Sequence, residues 1–329
     1  MVYKISLPLV GSTGTRKKEI IDADNNLTVD EIRVGTLSKI YTFQGSTSGY
    51  TSGGDSPRVT DTIDKFPFSS DANASDVGDL SQTRGMTAGQ SSTTSGYTSG
   101  GESPSVVNTI DKFPFSSDTN ASDVGDLTQA RSHIAGQSSD ASGYTSGGEA
   151  TINTIDKFPF SADANATDVG DLSEGRGYVT GQSSQQNGYA SGGAPFPINT
   201  IDKFPFSADA NATDVGDLTQ ARWGVSGQSS TENGYTSGGG EGPGSTVYNT
   251  IDKFPFSSDA NATDVGDLTQ ARYGVVGQSS QQNGYTSGGY EPVSRHNNVI
   301  DKFPFSADAN ATDVGDLTDT RRYISGQQV

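Results

Sequence analysis

The 329-residue sequence has no cysteine, two methionines, two histidines and one tryptophan, and only 30% of it is hydrophobic. The missing cysteine excludes disulfide staples and thiolate metal sites, and leaves the redox compartment open. No apolar run approaches the ~20 residues of a membrane helix. Residues 1–10 lack the basic start and apolar core of a signal peptide, so nothing there directs the chain to secretion. Positive charge is scarce as well: 21 Lys and Arg stand against 39 Asp and Glu, a net charge of −18. Such a surface repels phosphate backbones and anionic headgroups, which excludes nucleic acid and membrane as partners.

What the sequence has is repetition. The block IDKFPFSSDANATDVGDLTQAR returns with small changes at Ile63, Ile110, Ile155, Ile201, Ile251 and Ile300, in steps of 45 to 50 residues. That period exceeds the ~34 residues of helical repeats and suits propeller blades. A second block, GYTSGG, alternates with it from Gly49, Gly96, Gly143, Gly188, Gly234 and Gly284. Each unit predicts four short strands, through RYGVVGQ, GYTSGG, NTIDKFPF and DVGDL, separated by turn chemistry such as Asn283-Gly284 and SSDANAT. In the third strand Ile63 faces one side and Phe66 and Phe68 the other, as a strand sandwiched between two neighbours requires. The first strand is built of small residues such as Gly274, Val275, Val276 and Gly277, which suit the crowded axis.

The expected fold is therefore all-β: a six-bladed β-propeller of four-stranded antiparallel blades over 49–329. The last first-type strand, residues 321–329, has no diglycine strand after it, and the first diglycine strand, residues 50–54, has no partner before it. Joining them closes the ring and removes both free edges. Residues 1–48 do not repeat and form a small β-rich leader, expected to attach the ring to an oligomeric assembly. Its DADNNLTVDEI run imitates a calcium loop but has Leu27 and Arg33 at positions needing Gly and Glu, so a polar turn at Asp24, Asn25 and Asn26 is expected.

Tyr97, Thr98, Ser99, Gly100 and Gly101 resemble the tyrosine and diglycine of a kelch repeat, and Arg131 holds the place of the arginine that leads into the next blade. The resemblance covers 49–329 and implies kelch-like propeller architecture. The near-identical units also resemble repeat proteins of marine bacteriophages, and LTVDEIRVG resembles short β segments of phage fibres. That likeness implies a virion protein, made in the host cytoplasm and held to other virion proteins through the leader.

Comparing units separates scaffold from variation. The spacing from each Ile to the glycine of the GQ pair is 26 residues throughout, whereas the connection between second and third strands holds 8, 8, 6, 7, 11 and 10 residues of unrelated sequence. A second variable spot follows each Arg: Gly85 and Met86, Ser132 and His133, Gly177 and Tyr178, Trp223 and Gly224, Tyr273 and Gly274, Arg322 and Tyr323. Both spots fall at one end of an antiparallel blade, so one propeller face is diversified and the other constant. Met86, His133, Tyr178, Phe196, Trp223, Tyr248, Tyr273, Tyr290, His296, Arg322 and Tyr323 form the candidate binding face, rich in the types that anchor interfaces. Trp223 and Tyr273, at equivalent places in adjacent blades, are expected to make one exposed aromatic patch. The expectation is a non-enzymatic adhesin or decoration protein that binds a host surface glycan or protein. The alternatives are a structural spacer in a viral assembly and a cytosolic interaction propeller.

Catalysis finds no legible site, because a copper-radical centre would need a cysteine and the paired carboxylates recur in every unit. No cofactor is expected. The loop carrying Asp163, Asn165, Asp168 and Asp171 offers oxygens at alternate positions, the ligands calcium prefers, but the same residues cap their own turns.

Overall fold

Both faces of every blade are apolar, and the chain satisfies them by stacking six blades around an axis. The computed structural model describes residues 44–329 apart from 57, 150, 243, 244, 293 and 294. The attachment leader therefore lies outside the described residues except for its last five. Blade 1 combines Ser325–Gln328, Ser48–Ser52, Thr62–Pro67 and Ser75–Asp79 in that order from the axis outward. Blade 2 runs Ala88–Ser91, Ser95–Ser99, Thr109–Pro114, Ser122–Asp126. Blades 3 to 6 repeat this from inner strands Ala135–Ser138, Thr180–Ser183, Ser226–Ser229 and Val276–Ser279.

One apolar cluster fills each blade interface. Tyr50, Ile63 and Leu80 of blade 1 meet Phe113 and Phe115 of blade 2, and the pattern repeats to Tyr285, Ile300 and Leu317 against Phe66 and Phe68. Ile63 and Phe66 thus face opposite neighbours. The GYTSGG tyrosine stacks on the second Phe of the next blade, as in Tyr97 on Phe160 at 4.9 Å. Such a pair adds ~1 kcal/mol beyond its buried area.

Polar side chains join the same interfaces. Gln90 Nε2 donates to the Tyr144 carbonyl of the next blade at 3.0 Å while its Oε1 accepts from Ser99 at 2.8 Å. At the closure, Gln327 Nε2 donates to the Tyr97 carbonyl and Gln278 Nε2 to that of Tyr50. Near the axis adjacent inner strands approach so closely that a Cβ on Gly181 would lie 2.1 Å from the Gly136 carbonyl oxygen. Glycine in the GQ pair is thus a packing requirement.

Two aspartates of each unit, the types of Asp156 and Asp163, are inter-blade fasteners. Asp156 is fully buried. It accepts from the Thr128 backbone N–H at 2.9 Å and hydroxyl at 2.7 Å, and pairs with Arg131 at 3.0 Å. Asp163 takes Lys112 at 2.8 Å, Asn165 Oδ1 accepts the Asp126 N–H, and Asp168 accepts the N–H of Gly170. Of the side chains weighed as calcium ligands, Asp163, Asn165 and Asp168 are thus engaged in turn capping and blade contacts.

Closure pairs Tyr50 with Gln327 and Ser52 with Ser325. The ring begins earlier than Gly49: Ser48 is already in the strand, and Ser46 and Thr47 N–H both donate to the Val329 carbonyl at 2.8 and 2.7 Å. Gly45 N–H donates to Ser279 and Gln44 Nε2 to the Ser229 carbonyl, which puts the start of the ring at the axis on the face opposite the diversified one. Residues 44–48 belong to the ring closure.

Candidate binding face

The first strands are shorter than RYGVVGQ suggests, and the reason builds the site. The second residue after each Arg turns left-handed: Met86, His133, Tyr178 and Tyr323 at φ 53–60°, Gly224 and Gly274 at 65°. Each such residue donates its N–H to the carbonyl of its counterpart one blade back, from Met86 to Tyr323, His133 to Met86, Tyr178 to His133, Gly224 to Tyr178, Gly274 to Gly224 and Tyr323 to Gly274, at 2.7–3.1 Å. Six backbone hydrogen bonds therefore form a closed girdle around the axis. Inner-strand pairing starts only below it.

Bulk around the girdle is shared out. A Cβ on Gly274 would meet the Tyr323 ring at 3.0 Å, and one on Gly224 would meet Gly274 N at 3.0 Å and Tyr273 Cβ at 3.4 Å. The side chains then pack in sequence. His133 lies 3.7 Å from Tyr178 between ring centroids, Tyr178 4.6 Å from Trp223, Trp223 5.2 Å from Tyr273 and Tyr273 5.3 Å from Tyr290. His296 extends the row at 5.5 Å from Tyr290, and Tyr323 touches it from the axis, 6.0 Å from Tyr178. Arg322 lies 5.0 Å from both Tyr290 and Tyr323 and is held by Asp55 at 3.1 Å. Burial raises the Tyr178 and Tyr323 hydroxyl pKa values.

The expected patch of Trp223 and Tyr273 exists, but Trp223 is not exposed. It retains 7% of its surface and His133 retains 6%, because neighbouring rings cover them. Tyr178, Tyr273, Tyr290 and Tyr323 are half-buried members of the cluster, and Met86, half-buried too, joins it through the girdle backbone. Two expected members stand apart: Phe196 is 80% exposed on its loop, and Tyr248 donates to Glu241 at 2.5 Å within its own loop.

Sequence comparison missed two features. The hairpin tips on the opposite face also vary, reading TTS at 93–95, DAS at 140–142, QQN at 185–187 and TEN at 231–233, a difference visible once those tips are aligned. Two small ribbons, Asp55–Ser56 with Arg58–Val59 and Tyr290–Glu291 with Arg295–His296, form inside the variable connections. No repeat signal marks them.

Fold and site together define a six-bladed β-propeller with a contiguous aromatic cluster at one end of its axis. No protein-family model matches the chain, and no curated protein matches it.

Proposed function

We propose that the protein is a non-enzymatic binding propeller that recognises a partner on a host cell surface through the diversified face. In this reading it serves as an adhesin or decoration protein of a phage virion. The carrying observation is the left-handed backbone at Met86, His133, Tyr178 and Tyr323. A side chain there costs about 1 kcal/mol relative to glycine, and strain of this kind gathers at functional sites. Gly224 and Gly274 hold the same place in two blades, so the girdle itself does not demand a side chain. Idle drift would favour glycine at all six. The polarity of the ring supports the same reading, because the chain enters it at Gln44 on the face opposite the aromatic one.

The packing of His133 and Trp223 beneath their neighbours favours a second reading, in which the cluster plugs the ring of a structural spacer. A panel of surface glycans and surface proteins probed with the full chain and with Tyr178→Gly plus Tyr323→Gly separates the two. A binding reading requires capture that the double variant loses while still folded. Capture that survives the change moves binding off the diversified face, and no capture by the full chain hands the protein to the spacer reading.

A further inference from the structure

Beside the girdle each blade ends in one variable pair of residues. The residue after the diglycine meets the residue after the arginine that enters the blade: Asp55 with Arg322, Glu102 with Gly85, Ala194 with Gly177, Gly240 with Trp223 and Tyr290 with Tyr273. In blade 3 the Glu149 N–H donates to the Ser132 carbonyl at the same place.

Blades 1, 2 and 3 put an acid in that pair and treat it differently. In blade 1 Asp55 faces Arg322, which pairs with it at 3.1 Å and lies 5.0 Å from the Tyr290 and Tyr323 rings. That acid has its own cation. Blades 2 and 3 keep the acid and lack the arginine, with Gly85 and Ser132 in its place. The Glu102 carboxylate, half-buried, has no partner among the described residues. Glu149 is exposed, and its neighbour is His133 Nδ1 at 3.4 Å, on a ring that is neutral at neutral pH because burial pushes its pKa down to about 4.

The scaffold spares no cation for either. Repeat lysines are tied to an aspartate of the next blade, as Lys112 is to Asp163, and repeat arginines are buried against another, as Arg84 is against Asp111. The connections of blades 2 and 3, residues 102–109 and 149–154, contain no lysine or arginine.

Both carboxylates act at one place. Burial raises the Tyr178 pKa, and Glu149 and Glu102 raise it further. The connection of blade 4 starts beside the same tyrosine, since Ala194 pairs with Gly177, and two residues on it carries Phe196 into solvent, 80% exposed. Carboxylates next to an exposed ring suit a cation with an apolar neighbour, and the net charge of −18 opposes an anionic ligand.

Building on the binding reading above, we propose that the partner is a protein whose lysine or arginine pairs with Glu102 and Glu149 beside Tyr178, while an adjoining apolar side chain covers Phe196. The partner supplies to blades 2 and 3 the cation that blade 1 supplies to itself through Arg322. Charge-assisted hydrogen bonds of this kind are roughly twice as strong as neutral ones, and the acids steer a basic partner toward the face.

The test is fluorescence anisotropy with labelled peptides in which one arginine or lysine adjoins leucine or phenylalanine, each beside a copy with citrulline or glutamine in place of the cation. The full chain is compared with Glu102→Gln plus Glu149→Gln, and with Asp140→Asn plus Glu232→Gln, an equal loss of charge at exposed hairpin tips of the opposite face. Melting curves accompany each protein. The expected result is a cationic peptide that binds ~tenfold or more tighter than its neutral copy, weakened by salt, and weakened ~tenfold by the Glu102 and Glu149 changes but not by the hairpin-tip changes, at equal melting temperatures. Equal affinity for the neutral copies, unchanged affinity without the two glutamates, equal loss in both double variants, or no binding of any cationic peptide overturns the proposal. A surface glycan or protein still captured in a manner lost with Tyr178→Gly would then leave the binding face standing with a partner of another class. Capture indifferent to Tyr178→Gly sinks both.

Discussion

Each arginine that carries the chain from one blade to the next is fully buried beside an aspartate that is buried too, as with Arg131 and Asp156. Burial lowers the pKa of Arg131, and the neighbouring carboxylate opposes that shift. Breaking such a pair leaves an uncompensated charge, so Asp156→Ala is expected to cost about 3–5 kcal/mol, read as a fall of several degrees in Tm. A change under one degree would show that Arg131 finds solvent or another partner. His133 sets a pH dependence of its own. Its folded pKa, about 4, lies below the unfolded value, so unfolding takes up a proton between pH 6.5 and 4. Its contribution is complete above pH 6.5 and lost as pH falls through 4, on the order of 3 kcal/mol in all. His133→Tyr removes that term, so the stability difference between variant and wild type should grow in the variant's favour across this window. Parallel pH profiles would contradict the buried neutral imidazole.

The inner strand is where side-chain size decides the architecture. A Cβ on Gly181 would stand 2.1 Å from the Gly136 carbonyl oxygen, and backbone cannot yield as a side-chain tip can. Gly181→Ala is expected to lower Tm by many degrees or prevent folding, whereas Tyr178→Gly, three residues away, relieves a left-handed residue and should move Tm little. Similar losses for the two would show that the axis is not packed to contact. Much of this was legible in the sequence, for local reasons. Ile63 and Phe66 sit an odd number of residues apart, so a strand must send them to opposite neighbours. The unpaired strand at each end of the chain required closure. The burial of Trp223 was not legible, because it depends on Tyr178 and Tyr273 from the two flanking blades, and a single unit holds no information about its neighbours' rings. The residue types of the acidic loop mark its turn but not that Asn165 accepts the Asp126 N–H across the interface, because that donor belongs to another unit.

At the scale of the whole molecule, the ring is closed by two ends of the chain that are far apart in sequence. Val329 accepts hydrogen bonds from Ser46 and Thr47, and Gln44 and Gly45 bond to the inner strands of blades 5 and 6. Removal of residues 1–43 should therefore leave the ring's Tm within a few degrees of the full chain. Removal of residues 1–48 strips these bonds and should lower it clearly, and equal melting of the two truncations would dismiss 44–48 from the closure. The central claim is that repeated residues hold the ring while one face does the binding. Its most direct measurement is capture on a panel of surface glycans and proteins by the full chain, by Tyr178→Gly with Tyr323→Gly, and by Gln185→Ala with Gln186→Ala at an exposed hairpin tip on the opposite face. The account predicts that the aromatic-face variant loses capture and the hairpin-tip variant keeps it, with both melting near wild type. Capture lost in the hairpin-tip variant and retained without the two tyrosines would contradict it.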